Sequence, residues 1–380
     1  GTPMGRLARW SGLWPAALLL AALVTAIPSA PAAAAELDFS GLIAAARIKG
    51  PLDFCGERVP LEDPDARERL EREILAVLAD PHQVILWIKR SRQALAPIEE
   101  ALRAQRLPQD LKYVAIAESA LRPHAGSSKG AMGYWQFIEP TGRKYGLQVD
   151  SEKDERRNLF ASTQAAIAYL NELRQMFGSW TLAAAAYNMG ENGLRNDIRQ
   201  QGTRDYYRLY LSLETQRYVF RILTAKLILE NPERYGFRLP PEDIYPPTPF
   251  ERVDIEAGRE TPILAVAQAA GTDVKMIKDL NPEIRGFRLA PGRHQLLIPK
   301  SGVRGFHDRL IQLMSQADEK TREVVYVVKE GDTLSEIALK HGASVSEVRA
   351  WNRLDPKKQI QPGMRLVLQV REGAADNASP

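Results

Sequence analysis

The residues best suited to acid–base chemistry fall in one stretch, Leu111 to Leu147. Its first part, Asp110 to Leu121, reads as a short buried helix, with Asp110 as N-cap and Pro123 closing the run. Leu111, Val114, Glu118 and Leu121 share one face of that helix. Glu118, the only acid beyond the cap, therefore sits among apolar neighbours. Desolvation disfavours an ionised carboxyl and raises its pKa. A carboxylic acid still protonated near neutral pH can act as a general acid. A structural Glu paired with a distant Arg would carry the same pattern.

The loop behind the helix holds Gly126, Gly130 and Gly133, where backbone turns sharply or approaches something closely. Tyr134, Trp135, Gln136 and Phe137 follow. A large aromatic beside an amide on such a loop suits a sugar, the ring stacking and the amide bonding hydroxyl or acetamido groups. Core packing of Trp135 and Phe137 is the competing reading.

Three motifs now stand in order: Glu118-Ser119, Gly133-Tyr134-Trp135-Gln136-Phe137, and Ala186-Tyr187-Asn188 with Gly190. Together they resemble the lytic transglycosylase domain of bacterial cell-wall enzymes. The Gly-x-Trp-Gln-Phe form is similar to the membrane-bound lytic murein transglycosylase D subgroup. Three ordered motifs carry weight that one alone would not. The resemblance implies cleavage of the β-1,4 bond between N-acetylmuramic acid and N-acetylglucosamine without water. Glu118 would serve first as acid and then as base, closing a 1,6-anhydro ring. It further implies substrate contacts from Ser119, Gly133, Trp135, Gln136, Tyr187 and Asn188, with the Tyr187 hydroxyl holding the Glu118 carboxyl. Asn188 would support its turn or touch sugar. No metal and no cofactor are expected. A goose-type lysozyme, in which water replaces the sugar hydroxyl, and a non-catalytic peptidoglycan-binding scaffold are the alternatives.

The elements that must position these residues are helical. A helix opens at Asp63-Pro64, an N-cap followed by proline. Helical patterns follow at Gln83–Lys89, Pro97–Arg106, Ser162–Phe177 and Trp180–Tyr187, and one long helix or two abutting ones cover Asp205–Glu230. The charged run from Asp150 to Leu159 reads as a solvated turn. Glu214-Thr215 and Tyr218-Val219 resemble the subgroup's last motif, with Phe220 where that motif has proline. The fold class is α+β multidomain: an α-helical, lysozyme-like catalytic domain (61–236) and two small βααβ LysM-type modules, the first degenerate.

The modules are visible as an internal repeat. Gly271, Asn281 and Pro291-Gly292 recur as Gly342, Asn352 and Pro362-Gly363. The second copy (323–370) reads strand, helix, helix, strand. Thr333 to Glu336 and Ser344 to Glu347 form two capping boxes. This copy resembles the LysM module, which implies glycan binding by Gly331, Asp332, Thr333, Asn352, Gln359 and Ile360. The first copy (251–300) lacks the Gly-Asp-Thr of the second. A proline-rich linker (237–250), a polar connector (301–322) with a helical pattern near Leu310, an N-terminal arm (36–60) and a tail (371–380) complete the division.

Residues 1–35 read as a signal peptide, with Arg6 and Arg9, an apolar run from Leu18 to Val24, and Ala33-Ala34-Ala35 before Glu36. The expected location is the periplasm or cell envelope. Cys55, the single cysteine, stands well past that segment, so a lipid anchor is not expected. Net charge is +4 with a pI near 9.0. That suits an anionic wall polymer, and no basic tract or nucleic-acid motif accompanies it. The expected partners are peptidoglycan glycan strands and cell-envelope proteins, not nucleic acid, and the expected state is a monomer.

Overall fold

The computed structural model describes residues 39–319 and 321–371. The signal segment expected at 1–35, and all but the first residue of the tail, lie outside them. Among the described residues, no helix is long and apolar enough to cross a membrane.

The N-terminal arm contributes to the core of the helical domain. Helix α1 (Phe39–Ala46) and a hairpin of β1 (Asp53–Phe54) and β2 (Glu57–Arg58) place Ala46, Leu52, Phe54 and Val59 in the main core. Burying Phe54 completely anchors a segment whose apolar residues follow no regular period. Next to it, burial pushes the Cys55 thiol well above its ordinary range, so little reactive thiolate forms.

The helical domain follows as α2 (Pro64–Leu78), α3 (Pro81–Ala104), α4 (Lys112–Ser119), α5 (Glu139–Lys144), α6 (Leu159–Phe177), α7 (Trp180–Met189), α8 (Glu191–Gln201) and α9 (Leu213–Glu230). Asp63 caps α2 as its sequence foretells. The two patterns at 83–89 and 97–106 merge into the single helix α3, which runs through Pro97. Ala94, Leu95, Ile98 and Leu102 bury one stripe on either side of that proline. That burial offsets the lost hydrogen bond. Asp205–Glu230 divides into a short 3-10 turn at Tyr206–Arg208 and α9. Helix α9 packs against α2, α4 and α7, and Phe220, fully buried within it, occupies the position of the motif's proline.

Glu57 ties the arm to this domain. Its carboxylate accepts from Trp180 N (2.6 Å), Thr181 N (2.9 Å), Thr181 Oγ1 (2.8 Å) and Ser179 Oγ (2.9 Å) at the start of α7. Burial alone would push this carboxyl up, but the four donors outweigh it and hold it below the ordinary range. The stabilisation is thus full above the unfolded pKa and fades as pH falls through the lowered one. Glu57→Gln is expected to cost about 1–3 kcal/mol at neutral pH and much less in acid. Denaturant melts at the two pH values check this.

The proline-rich linker is laid along α3. Lys89 Nζ donates to Asp243 O (2.9 Å), Gln93 Nε2 to Pro246 O (3.0 Å), and Tyr245 N to Lys89 O (3.0 Å). The first module comprises β3 (Phe250–Ala257), β4 (Thr261–Pro262), α10 (Ile263–Ala269), α11 (Val274–Leu280), β5 (Arg288–Leu289) and β6 (Gly292–Pro299). Strands β3 and β6 pair antiparallel, Phe250 opposite Pro299. The connector expected next is largely the helix α12 (Phe306–Glu319), and it packs on α10. Phe306 and Leu310 are buried in the first module's core; the polar residues around them mask that stripe in the sequence. The second module has β7 (Thr321–Val327), α13 (Leu334–Lys340), α14 (Val345–Trp351) and β8 (Arg365–Arg371). Strands β7 and β8 pair antiparallel, and both capping boxes are formed.

Candidate active site

Helix α4 is one of the shortest helices in the domain and carries Glu118 in its last turn. Asp110 does not cap it. That residue lies in a 3-10 turn ahead of α4, and its carboxylate accepts from Lys226 Nζ (2.8 Å) and Cys55 N (2.8 Å). The helix ends on Ala120 and Leu121, both left-handed, with φ of 52° and 60°. Two successive non-glycine residues there are strained, and such strain gathers at functional sites.

Glu118 is half-buried. Desolvation pushes its carboxyl up to about 7. A hydrogen bond from Tyr218 and the charge of Arg221 oppose the rise, while Glu214 adds to it. The donor to Glu118 Oε1 is the hydroxyl of Tyr218, from the buried face of α9. The expectation that Tyr187 holds this carboxyl is corrected: the Tyr187 hydroxyl donates to Trp135 O (2.7 Å). Tyr187 still lies close enough for the Glu118 charge to act on it, within an aromatic group that includes Phe137 (6.1 Å) and Tyr169 (5.3 Å).

Ser119 and Trp135, expected to touch substrate, are instead buried behind the helix and loop of Glu118. Ser119 is buried and donates to Ala115 O (2.9 Å). Trp135 is fully buried, and its Nε1 donates to Thr163 Oγ1 (3.0 Å). Gln136, left-handed at φ 52°, uses Nε2 to bond Ala125 O and Gly133 O (both 2.8 Å). Asn188 accepts from Thr215 Oγ1 (2.8 Å) and donates to Glu214 Oε1 (3.2 Å). These contacts shape the loop and the rim around Glu118.

Gly133 is held by close approach. Its φ is +85°, and a Cβ there would come within 1.7 Å of Arg156 O. The Asp150–Leu159 run is an exposed turn at its start, but from Asp154 on it is built into the fold. Arg156 and Asp154 are buried and paired through two bonds of 2.8 Å. Arg156 Nη1 also donates to Gly130 O (2.9 Å) and Phe137 O (3.2 Å). One guanidinium thereby clasps both ends of the glycine loop, a use its planar fork allows. Charge density in the sequence hides this, because the partners are carbonyls of another segment.

The same run carries the first module. Asp154 N donates to Glu283 O (2.8 Å), Asn158 Nδ2 to Glu283 Oε1 (3.0 Å), and Arg285 N to Glu152 O (2.9 Å).

In the second module, Asn352 is corrected from glycan contact to internal brace. Its amide donates to Val348 O and Val367 O (both 2.8 Å) and accepts from Val367 N (2.6 Å). Asn281 repeats the arrangement with Ile277 and Leu297, which explains why both copies carry an Asn there. Asp332 accepts from Tyr326 Oη (2.7 Å) and Lys329 N (2.8 Å), ordering the loop with Gly331, and Thr333 caps α13. Gln359 is exposed and Ile360 half-buried against the module core.

Residues 96–210 match the transglycosylase SLT domain, residues 326–369 the LysM domain, and residues 250–314 the LysM-like domain of the lytic transglycosylase MltD. The membrane-bound lytic murein transglycosylase D of Escherichia coli (strain K12) is 36% identical over 338 residues, covering 84% of this chain and 73% of that protein. The chain belongs to the membrane-bound lytic murein transglycosylase D family. Its fold is that family's: a lysozyme-like helical domain followed by strand-containing modules. A putative tributyltin chloride resistance protein of Alteromonas sp. (strain M-1) is 32% identical over 110 residues, covering 28% of this chain and 53% of that protein. Among solved structures, the 70 kDa soluble lytic transglycosylase of Escherichia coli is similar at a TM-score of 0.33 and 21% identity, covering 42% of this chain. An inactive mutant of the lytic transglycosylase Slt from Pseudomonas aeruginosa is similar at 0.31 and 22%, covering 40%. This chain spans 29% and 26% of those two chains. The hydrogen bond to Glu118 and the charge acting on it bring in two residues that the sequence did not assign to the site. Tyr218 stands in the last motif without an evident role there, and Arg221, one turn further along α9, gives no signal in the sequence.

Proposed function

We propose that this chain cleaves the β-1,4 bond between N-acetylmuramic acid and N-acetylglucosamine in peptidoglycan without water. The observation that carries the reading is Glu118, a half-buried carboxyl protonated near neutral pH and held by one phenol. Protonated Glu118 gives its proton to the glycosidic oxygen as the bond to the anomeric carbon breaks. The sugar passes through an oxocarbenium-like state, with its acetamido group assisting from below. The Glu118 carboxylate, stabilised between steps by the Tyr218 hydroxyl, then takes the proton of the sugar's own 6-hydroxyl. That oxygen closes the 1,6-anhydro ring, and Glu118 ends in the state it began. Most glycosidases divide this work between two carboxyls. Here Asp154 is engaged by Arg156, and Glu214, the carboxylate felt at Glu118, is tied to Asn188 and lies 3.9 Å from Lys129 Nζ.

The test is mass spectrometry of muropeptides released from purified sacculi by residues 36–380. Products ending in 1,6-anhydromuramic acid support the reading. Reducing ends mean a goose-type hydrolase on this fold, and sacculus binding without release means a scaffold.

The second module is the glycan anchor in this reading, and the family's membrane-bound relative supports a location in the cell envelope. Tethering adds a second contact. Deletion of residues 323–380 is expected to weaken sacculus binding on the order of 10²-fold and to lower turnover of short soluble glycans far less. Pelleting and turnover assays, run side by side, check this; equal losses in both would count against the anchor.

A further inference from the structure

The proposed reaction leaves one cavity unexplained, and Glu118 does not line it. A cavity of about 650 Å³ lies between the helical domain, the linker and the first module, lined among others by Arg90, Arg122, Tyr134, Tyr245 and Glu283. Its floor includes Leu121 to Ala125, the segment that leaves the catalytic helix. That volume suits a small ligand or a few residues of peptide.

Two features of its wall form no ion pair among the described residues. Arg90 and Arg122 lie close enough that Arg122 helps hold Arg90 below its ordinary pKa, after desolvation. Each donates only to a backbone carbonyl at the end of α4, Arg90 to Ala120 O (3.0 Å) and Arg122 to Ser119 O (3.1 Å). Neither forms an ion pair among the described residues, and two adjacent guanidinium groups favour an anion between them. On the same wall, Glu283 is only 5% exposed, and desolvation pushes its carboxyl pKa up, as expected for a buried acid with no ion-pair partner among the described residues. Its Oε1 accepts from Asn158, but its Oε2 has no hydrogen-bond partner. A buried carboxylate oxygen without a donor is costly and marks a place for one. Asp279, the other carboxylate of the wall, is engaged by Lys275.

We propose that this cavity binds a zwitterionic peptide, its carboxylate on Arg90 and Arg122 and its ammonium on Glu283. Resting on the peptidoglycan reading above, the ligand is the peptide stem of the wall polymer, which carries free carboxylates and a free amine. The site would then read the stem on the segment that follows the helix carrying Glu118. A neutral glycan offers neither charge, so it leaves both features unsatisfied.

Calorimetric titration of the full chain with the tripeptide N-acetyl-L-Ala-γ-D-Glu-meso-diaminopimelate, whose one free amine is on the diaminopimelate side chain, tests this without turnover. Saturable binding is expected, weakened at least about tenfold when the peptide's side-chain amine is acetylated. Glu283→Gln should weaken the free-amine peptide by a similar factor and the doubly acetylated one little. The doubly acetylated peptide tests the same contact on the unaltered protein, should the variant lose its fold. No heat at millimolar peptide, equal affinity for both peptides, or displacement of the peptide by chitotetraose would overturn the proposal. Failure to cut sacculi with tripeptide binding intact would remove the proposed activity and leave the site standing.

Discussion

Glu118→Gln is expected to abolish release of muropeptides from sacculi while making the folded protein more stable in mildly alkaline solution. The loss follows from one carboxyl serving both proton transfers. Removing a general acid alone costs about 10²–10⁴-fold, and here the base goes with it. The gain follows from the raised pKa. Folding lifts this carboxyl from 4.5 to about 7, so the folded state holds the proton more tightly than the unfolded chain. Stability therefore falls as pH rises through that window and levels off above it. Two and a half units correspond to about 3 kcal/mol, and partial exposure of the group reduces this to roughly 1–3 kcal/mol. An amide carries no charge and still offers Tyr218 an acceptor oxygen. The variant should match the parent in acid below the unfolded pKa and exceed it above neutrality. Denaturant melts at both pH values measure this. A variant less stable than the parent in alkali would identify Glu118 as a structural ion-pair member.

Gly133→Ala should be the most damaging single methyl in the helical domain. The new Cβ would meet Arg156 O at 1.7 Å and Arg156 C at 2.4 Å, both backbone atoms, at a φ of +85°. Neither side can yield without opening the Arg156 clasp on Gly130 and Phe137. A cost above about 4 kcal/mol is expected, enough to unfold many domains. Gly130→Ala is the control. Its φ is +82°, but its Cβ would meet nothing within 4 Å, so about 1 kcal/mol should be lost. Thermal melts of the pair separate packing from backbone conformation; equal melting temperatures would contradict the packing of the loop on Arg156.

How much of this was legible in the sequence depended on the range of the interaction. Glu118 was visible because helix periodicity and desolvation are local. The α2 cap and the two capping boxes of the second module were visible for the same reason. The family resemblance extended this to the order of the motifs. Partner choice was not legible. Tyr187 and Tyr218 are both buried-side tyrosines in helices that pack together, and only the folded geometry selects Tyr218 as the donor. Arg156 acts on carbonyls distant in the chain, so the charged run around it reads as solvated, and Glu57 acts on amides too far along the chain for a local pattern to show. Asn352 and Asn281 stood out by repetition, and repetition marks a brace as readily as a binding site. Phe54 and Phe306 anchor segments too irregular for periodicity to reveal.

The central claim is that Glu118 stays protonated near neutrality because its surroundings desolvate it. Carboxyl carbon-13 NMR of protein labelled at glutamate tests it directly, with the Glu118 resonance assigned by its absence from Glu118→Gln. A titration midpoint near 7 is the predicted result. A midpoint at the ordinary 4.5 would mean that the carboxyl is already ionised at neutral pH and has no proton to give the glycosidic oxygen.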